Sequence, residues 1–122
     1  MTTNELKLRT KNFSILIINL VEKLPNSIAG KTIANQIIRS GTSVGANYRA
    51  VCRARSDREF ISKMNIVLEE ADETMFWLEL IIDRKWFDIN EVSNLLDEGN
   101  QLTAIFVSSL KTVNTRISNS KI

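Results

Sequence analysis

Apolar residues recur along this chain every three or four positions, and no segment alternates with a period of two between hairpin turns. That spacing belongs to helices with one face turned to a core. Leu6, Phe13, Leu16, Ile17, Leu20 and Leu24 share one face and predict a helix over about 4–24. Pro25 stops it, because proline disfavours helix in the preceding residue, and Pro25-Asn26-Ser27 reads as a turn. Ile33, Ile37, Val44, Tyr48, Val51 and Arg55 form a second stripe over about 30–54, with Ser40 in phase between Ile37 and Val44. Ser40-Gly41 is then a close-packing point or mild kink within one helix, or a break into two. A glycine there costs about 1 kcal/mol of helix propensity relative to alanine.

Ser56-Asp57-Arg58-Glu59 has the S-x-x-E form of a capping box, in which serine and glutamate each satisfy the other's backbone amide. It predicts a third helix over 57–83. Phe60, Met64, Val67, Ala71, Met75, Leu78 and Ile82 alternate steps of four and three, the seam of a bundle. Ile61, Leu68, Phe76, Trp77 and Ile81 broaden that face, which points to contact on two sides, one of them a candidate subunit interface. Asp88 to Glu91 offers an acidic cap for a fourth helix over about 90–117. Val92, Leu95, Gly99, Leu102, Phe106, Leu110, Val113 and Ile117 form its inner stripe, and the polar tail from Ser118 onward is expected to fray.

Four long amphipathic segments with short connections predict an all-α, antiparallel up-down-up-down four-helix bundle. A length of 122 residues fits a single domain over 1–122. One cysteine makes no internal disulfide, so a reducing compartment fits. The N-terminal MTTNELKLRTKNF lacks the basic-then-apolar order of a signal peptide. The apolar runs fall far short of the ~18–20 residues that span a bilayer. The expectation is a cytoplasmic protein with no membrane partner.

Charge changes the picture more than composition does. The net charge is only +2, yet residues 31–63 carry seven Lys/Arg against Asp57 and Glu59, while residues 64–98 carry ten Asp/Glu against Arg84 and Lys85. Such polarity suits nucleic acid on the basic side, or matched faces between copies of the chain.

The runs IANQIIRSGTSVGANYRAVCRARSDREFISKM and VLEEADETMFWLELI carry a more specific signal. The succession of SVGANY, the RxRS segment, EEADE and FWLEL resembles the four helix bundle protein family. That family includes proteins encoded in intervening sequences of bacterial large-subunit rRNA genes. More distantly, it includes the accessory variability determinant protein of diversity-generating retroelements. The resemblance covers roughly Ile33 to Ile82 and is only general in the first and fourth helices. It implies an antiparallel bundle closed into a barrel-like homopentamer. For the retroelement member it implies work beside a reverse transcriptase and its nucleic acids.

The chain contains no histidine, which excludes Ser-His and Cys-His nucleophile pairs and the Glu-x-x-His motifs of di-iron bundles. GTSVG lacks the lysine and spacing of a phosphate loop. No enzyme activity and no cofactor are expected. The candidate nucleic-acid contacts are Arg39, Arg49 and Arg53 near one face of the second helix, extended by Arg55, Arg58 and Lys63. A row of arginines can track a phosphate backbone. The same arginines can instead pair with Glu69, Glu70, Asp72 and Glu73 of the third helix or of a neighbouring subunit. Carboxylates four apart share a helix face and could hold only a hard cation here; a solvated or arginine-paired face suits them better. Glu69, Glu70, Glu73, Phe76 and Trp77 are the candidate oligomer interface. Tyr48 sits on the core stripe and Cys52 beside it, which favours burial of both over base stacking or thiol chemistry. Two functions follow: an RNA- or DNA-binding accessory protein, or a scaffold whose charged faces serve self-assembly and a protein partner.

Overall fold

The computed structural model describes residues 1–120. They form α1 (Thr3–Val21), α2 (Ile28–Val51), α3 (Asp57–Asp83) and α4 (Ile89–Ser120), with no strand among the described residues. Helices adjacent in sequence pack on one another, so α2 lies between α1 and α3, while the α1–α4 seam is lighter. No helix among the described residues is long and apolar enough to cross a membrane.

The helix ends follow their caps. Thr2 accepts from the Glu5 amide at 3.1 Å, and Glu5 accepts in return from the Thr2 amide at 3.4 Å, a complete capping box that starts α1 one residue before the expected position. Ser27 accepts from the Gly30 amide at 3.0 Å and starts α2 two residues early. Ser56 accepts from the Glu59 amide at 3.1 Å. The return half of that box is not made, because the Glu59 carboxylate lies 3.3 Å from the Lys63 ammonium instead. Asp88 caps α4 by accepting from the Asn90 amide at 3.4 Å.

Three expected C-terminal ends move. α1 stops at Val21 and α2 at Val51, each passing into a tight turn: the Leu24 amide donates to Val21, and the Ala54 amide to Val51. Arg53 and Arg55 therefore leave the α2 stripe for the connection. α4 continues through Ser120, so Ser118, Asn119 and Ser120 are helical rather than frayed; residues 121–122 of the expected tail lie outside the described residues.

The buried core contains Leu6, Phe13, Ile17 and Leu20 of α1, Ile37, Val44, Tyr48 and Val51 of α2, Met64, Val67, Ala71, Leu78 and Ile81 of α3, and Val92, Leu95, Leu102, Phe106 and Leu110 of α4. Leu16, placed inward by the periodicity, is exposed, whereas Thr10 is buried. Thr10 tolerates burial because its hydroxyl donates to the Lys7 carbonyl at 3.0 Å, leaving no unpaired polar group.

α2 runs unbroken through Ser40-Gly41 and is held there from both sides. A β-carbon at Gly41 would lie 2.8 Å from a side-chain carbon of Ile17, so only glycine admits α1 this closely. One residue earlier, the hydroxyls of Ser40 and of Thr74 in α3 hydrogen-bond at 2.9 Å within the core, and the Thr74 hydroxyl also donates to the Glu70 carbonyl at 2.7 Å. At Gly99 of α4 the nearest obstacle is the thioether of Met75, the free end of a flexible side chain.

The two glycines should therefore respond differently to the same methyl group. Gly41→Ala drives a β-carbon into Ile17, which is fully buried and stiff at its branched β-carbon. Overpacking of about 1–3 kcal/mol outweighs about 1 kcal/mol of gained propensity, so urea denaturation should show a net loss of stability. Gly99→Ala should be neutral or stabilising, since Met75 can swing aside.

Candidate nucleic-acid interface

The arginines expected to form one row on α2 divide between two neighbours. Arg39 turns to α3, where its guanidinium donates to Glu70 at 3.2 Å and to Glu73. The hydrogen bond to Glu73, reinforced by the charge of Glu70, raises the Arg39 pKa further above its ordinary value. Its charge is permanent and paired with α3.

Arg49 and Arg53 turn to α1. With Lys7, Lys11, Ser14, Gly45, Ala46 and Ala50 they line a groove of about 400 Å³ between the two helices. A β-carbon at Gly45 would sit 3.2 Å from the Thr10 backbone, so the helices nearly touch beneath the groove. Its floor is Gly45, Ala46 and Ala50, and its walls carry the four cations. Lys7 and Lys11 stand about one helical turn apart, roughly 6 Å along the axis, and Arg49 and Arg53 are also four residues apart. Lys11, Arg49 and Arg53 are exposed and Lys7 half-buried. Among the described residues none of the four is within ion-pair distance of a carboxylate. The paired cations are Arg9 with Glu98, Arg39 with Glu70 and Glu73, Lys63 with Glu59, and Arg116 with Asp57. Four like charges are thus left facing one volume, an arrangement that stabilises a polyanion in it.

Lys7 and Lys11 were absent from the sequence-derived candidates. Their i, i+4 spacing was visible, but nothing in α1 alone says which of its polar faces adjoins α2. Arg55 and Arg58 are exposed in and after the α2–α3 connection, away from the groove lining, and Lys63 is tied to Glu59. Arg55 borders a separate cavity with Thr3, Tyr48, Cys52 and Phe60. The expected set of six contacts is therefore not one surface.

The acidic and aromatic candidates on α3 also divide. Glu70 and Glu73 are engaged by Arg39, and Glu73 additionally accepts from the Trp77 indole N–H at 3.2 Å. Trp77 is half-buried, whereas Phe76 is exposed and meets Trp77 edge-on at 5.0 Å. Glu69 and Asp72 are exposed. Among the described residues no group of three or more His, Cys, Asp or Glu side chains converges as a metal site requires. Further exposed apolar side chains, Leu8, Ile15 and Leu16, lie on α1 and were not among the interface candidates. Tyr48 is buried, with its ring 6.2 Å from that of Phe106. Burial first, then Cys52, pushes its phenol up to about 12, so it stays protonated. Cys52 is half-buried rather than fully enclosed.

Residues 3–108 match the family described as 23S rRNA-intervening sequence protein. The chain belongs to that family. A crystal structure of a protein of unknown function from the S23 ribosomal protein family, from Bacteroides thetaiotaomicron, is 35% identical and superposes with a TM-score of 0.82. The similarity covers 91% of this chain and 99% of that one. No curated protein matches the chain significantly. The family match therefore covers α1, α2 and α3 and most of α4, including all four cations of the groove.

Beside the basic connection, Asp57 is claimed by Arg116 of α4, which donates from Nε at 3.1 Å and from a terminal nitrogen at 2.7 Å. These hydrogen bonds hold the Asp57 carboxyl below its usual range. A carboxylate with a depressed folded pKa contributes stability above its unfolded pKa and loses it as pH falls through the folded value. Arg116→Ala should therefore lower the melting temperature slightly at neutral pH, and the deficit should close at strongly acidic pH. Both groups are exposed, so high salt should close it too. Melting curves at two pH values and two salt concentrations check this, and a deficit that survives acid would assign the loss to packing.

Proposed function

We propose that this chain is a non-enzymatic nucleic-acid-binding protein of the cytoplasm, built as an antiparallel four-helix bundle and acting as a homo-oligomer. The observation that carries the binding function is the convergence of Lys7, Lys11, Arg49 and Arg53 on one groove with no carboxylate among its lining residues. Guanidinium and ammonium groups so placed suit phosphate oxygens. Family membership is consistent with an RNA context, since its description is tied to rRNA.

The antiparallel order is supported by contact pairs that run in opposite directions. Gly41 meets Ile17 while Gly45 meets Thr10, and Arg116 near the end of α4 holds Asp57 at the start of α3. Self-association, with a pentamer as the resemblance implies, is supported by exposed apolar side chains: Leu8, Ile15 and Leu16 on α1, and Ile66 and Phe76 on α3. Those same residues favour the second function, a scaffold in which charge and apolar faces serve assembly.

Arg49→Glu with Arg53→Glu separates the two. For a nucleic-acid-binding protein, the double variant should lose at least about tenfold in affinity for RNA or DNA at low salt while light scattering coupled to size exclusion shows an unchanged oligomer. Arg39→Ala should bind as the parent does, because Arg39 is already paired. An oligomer broken by the double variant, with binding undetectable in the parent, would establish the scaffold instead.

A further inference from the structure

We infer that the α1–α2 groove takes the phosphate backbone of a double-stranded nucleic acid, without reading its bases and in preference to a single strand. This rests on the nucleic-acid function proposed above. The lining is four cations, one hydroxyl and three small residues, Gly45, Ala46 and Ala50. Proteins that hold single strands add aromatic platforms on which successive bases stack, and no aromatic residue lines this groove. The aromatic side chains lie outside it: Tyr48 packs against Phe106, Phe76 meets Trp77, and Trp86 lies beneath the Arg84 guanidinium, while Phe13, Phe60 and Phe87 are also absent from the lining. Amide side chains, which recognise adenine edges, are absent from the lining too.

The one hydroxyl is already used. Ser14 donates to the Thr10 carbonyl at 3.2 Å, with the Gly41 carbonyl also within reach at 3.5 Å. Its proton is thus turned into the bundle rather than toward a ribose 2′-hydroxyl. At Gly45 the two helices are already at contact distance, and the small residues of the floor give a base nothing to stack on or pair with. What remains is charge. When recognition rests on charge, counterion release decides affinity, and it is larger for each phosphate of a duplex than for each phosphate of a single strand. A duplex also presents about one charge per 1.7 Å of axis, so Lys7 and Lys11, about one helical turn apart on α1, can engage neighbouring phosphates together.

Fluorescence anisotropy of the intact protein with four length-matched probes tests this: an RNA duplex, a DNA duplex, oligouridylate and oligothymidylate. Both duplexes should bind about tenfold or more tightly than either single strand at equal low salt, and duplexes of unrelated sequence should agree within about threefold. Lys7→Ala and Lys11→Ala, with folding checked by circular dichroism, should each weaken duplex binding and reduce the salt slope by about one. Single strands bound as tightly as duplexes, or a strong preference among duplex sequences, would overturn the duplex assignment while leaving nucleic-acid binding in place. Parent-like duplex binding by the lysine variants would place the site outside the groove. Failure of the parent protein to bind any probe would remove the nucleic-acid function itself.

Discussion

The middle of α2 is held on two sides within two consecutive residues, and the rest of the bundle depends on that grip. Gly41 lets Ile17 of α1 approach to a distance that any β-carbon would forbid, while the hydroxyls of Ser40 and of Thr74 in α3 hydrogen-bond in a setting that excludes water. The first contact sets how near α1 can come. The second fixes α3 more directionally than apolar packing can, since a buried hydroxyl left unpaired is costly. A glycine and a serine are poor choices for helix propensity, yet these positions convert that local cost into close approach and a defined register with both neighbours. α4 is joined less directly, through α3 and through the pairing of Arg9 with Glu98 on the lighter α1 seam.

The charge pattern follows from that geometry. Arg39 and Arg49 are ten residues apart, close to 2.8 turns of helix, so their side chains point about 80° apart around the axis. With α3 on one side of α2 and α1 on the other, that angle separates neutralisation by Glu70 and Glu73 from an open groove shared with Lys7 and Lys11. Reducing the segment 31–63 to a single net charge hides this division. Most of what is functionally distinctive arises where two helices with modest charge of their own bring their free cations together.

This explains what could be read from the chain and what could not. Four helices in one all-helical domain were legible because a period of 3.6 in apolar positions survives any local irregularity, and Ser56 and Asp88 marked the starts of α3 and α4, whereas the caps Thr2 and Ser27 were not read. Two C-terminal ends came earlier than expected because α1 and α2 each pass into a tight turn, closed by the Leu24 and Ala54 amides, that the apolar period does not mark. Leu16 was placed inward but is exposed, whereas Thr10 is buried with Leu6, Phe13 and Ile17, meets α2 at Gly45, and returns its hydroxyl to its own helix. The competition between phosphate contact and carboxylate pairing on α2 was legible as a competition. Which arginine pairs, Arg39 with Glu70 and Glu73 but neither Arg49 nor Arg53, required the partner of each face.

The run GTSVGANYR, which carries much of the family resemblance, has its physical explanation mainly in packing. Gly41 meets Ile17, Val44 is fully buried, Gly45 meets the backbone of Thr10, and Tyr48 stacks against Phe106. Asn47 returns its side-chain amide to the Ser43 carbonyl at 2.9 Å. Arg49 is the one charged residue of the run that lines the groove, beside Gly45 and Ala46 of its floor. A signature composed this way specifies how α1 and α2 come together, and so it identifies a bundle more sharply than an activity. Yet the same close packing builds the small-residue floor on which any surface ligand would rest. A larger residue at Gly45 would press on Thr10 and raise that floor at once, so fold and candidate site share a constraint at a position that carries no reactive group.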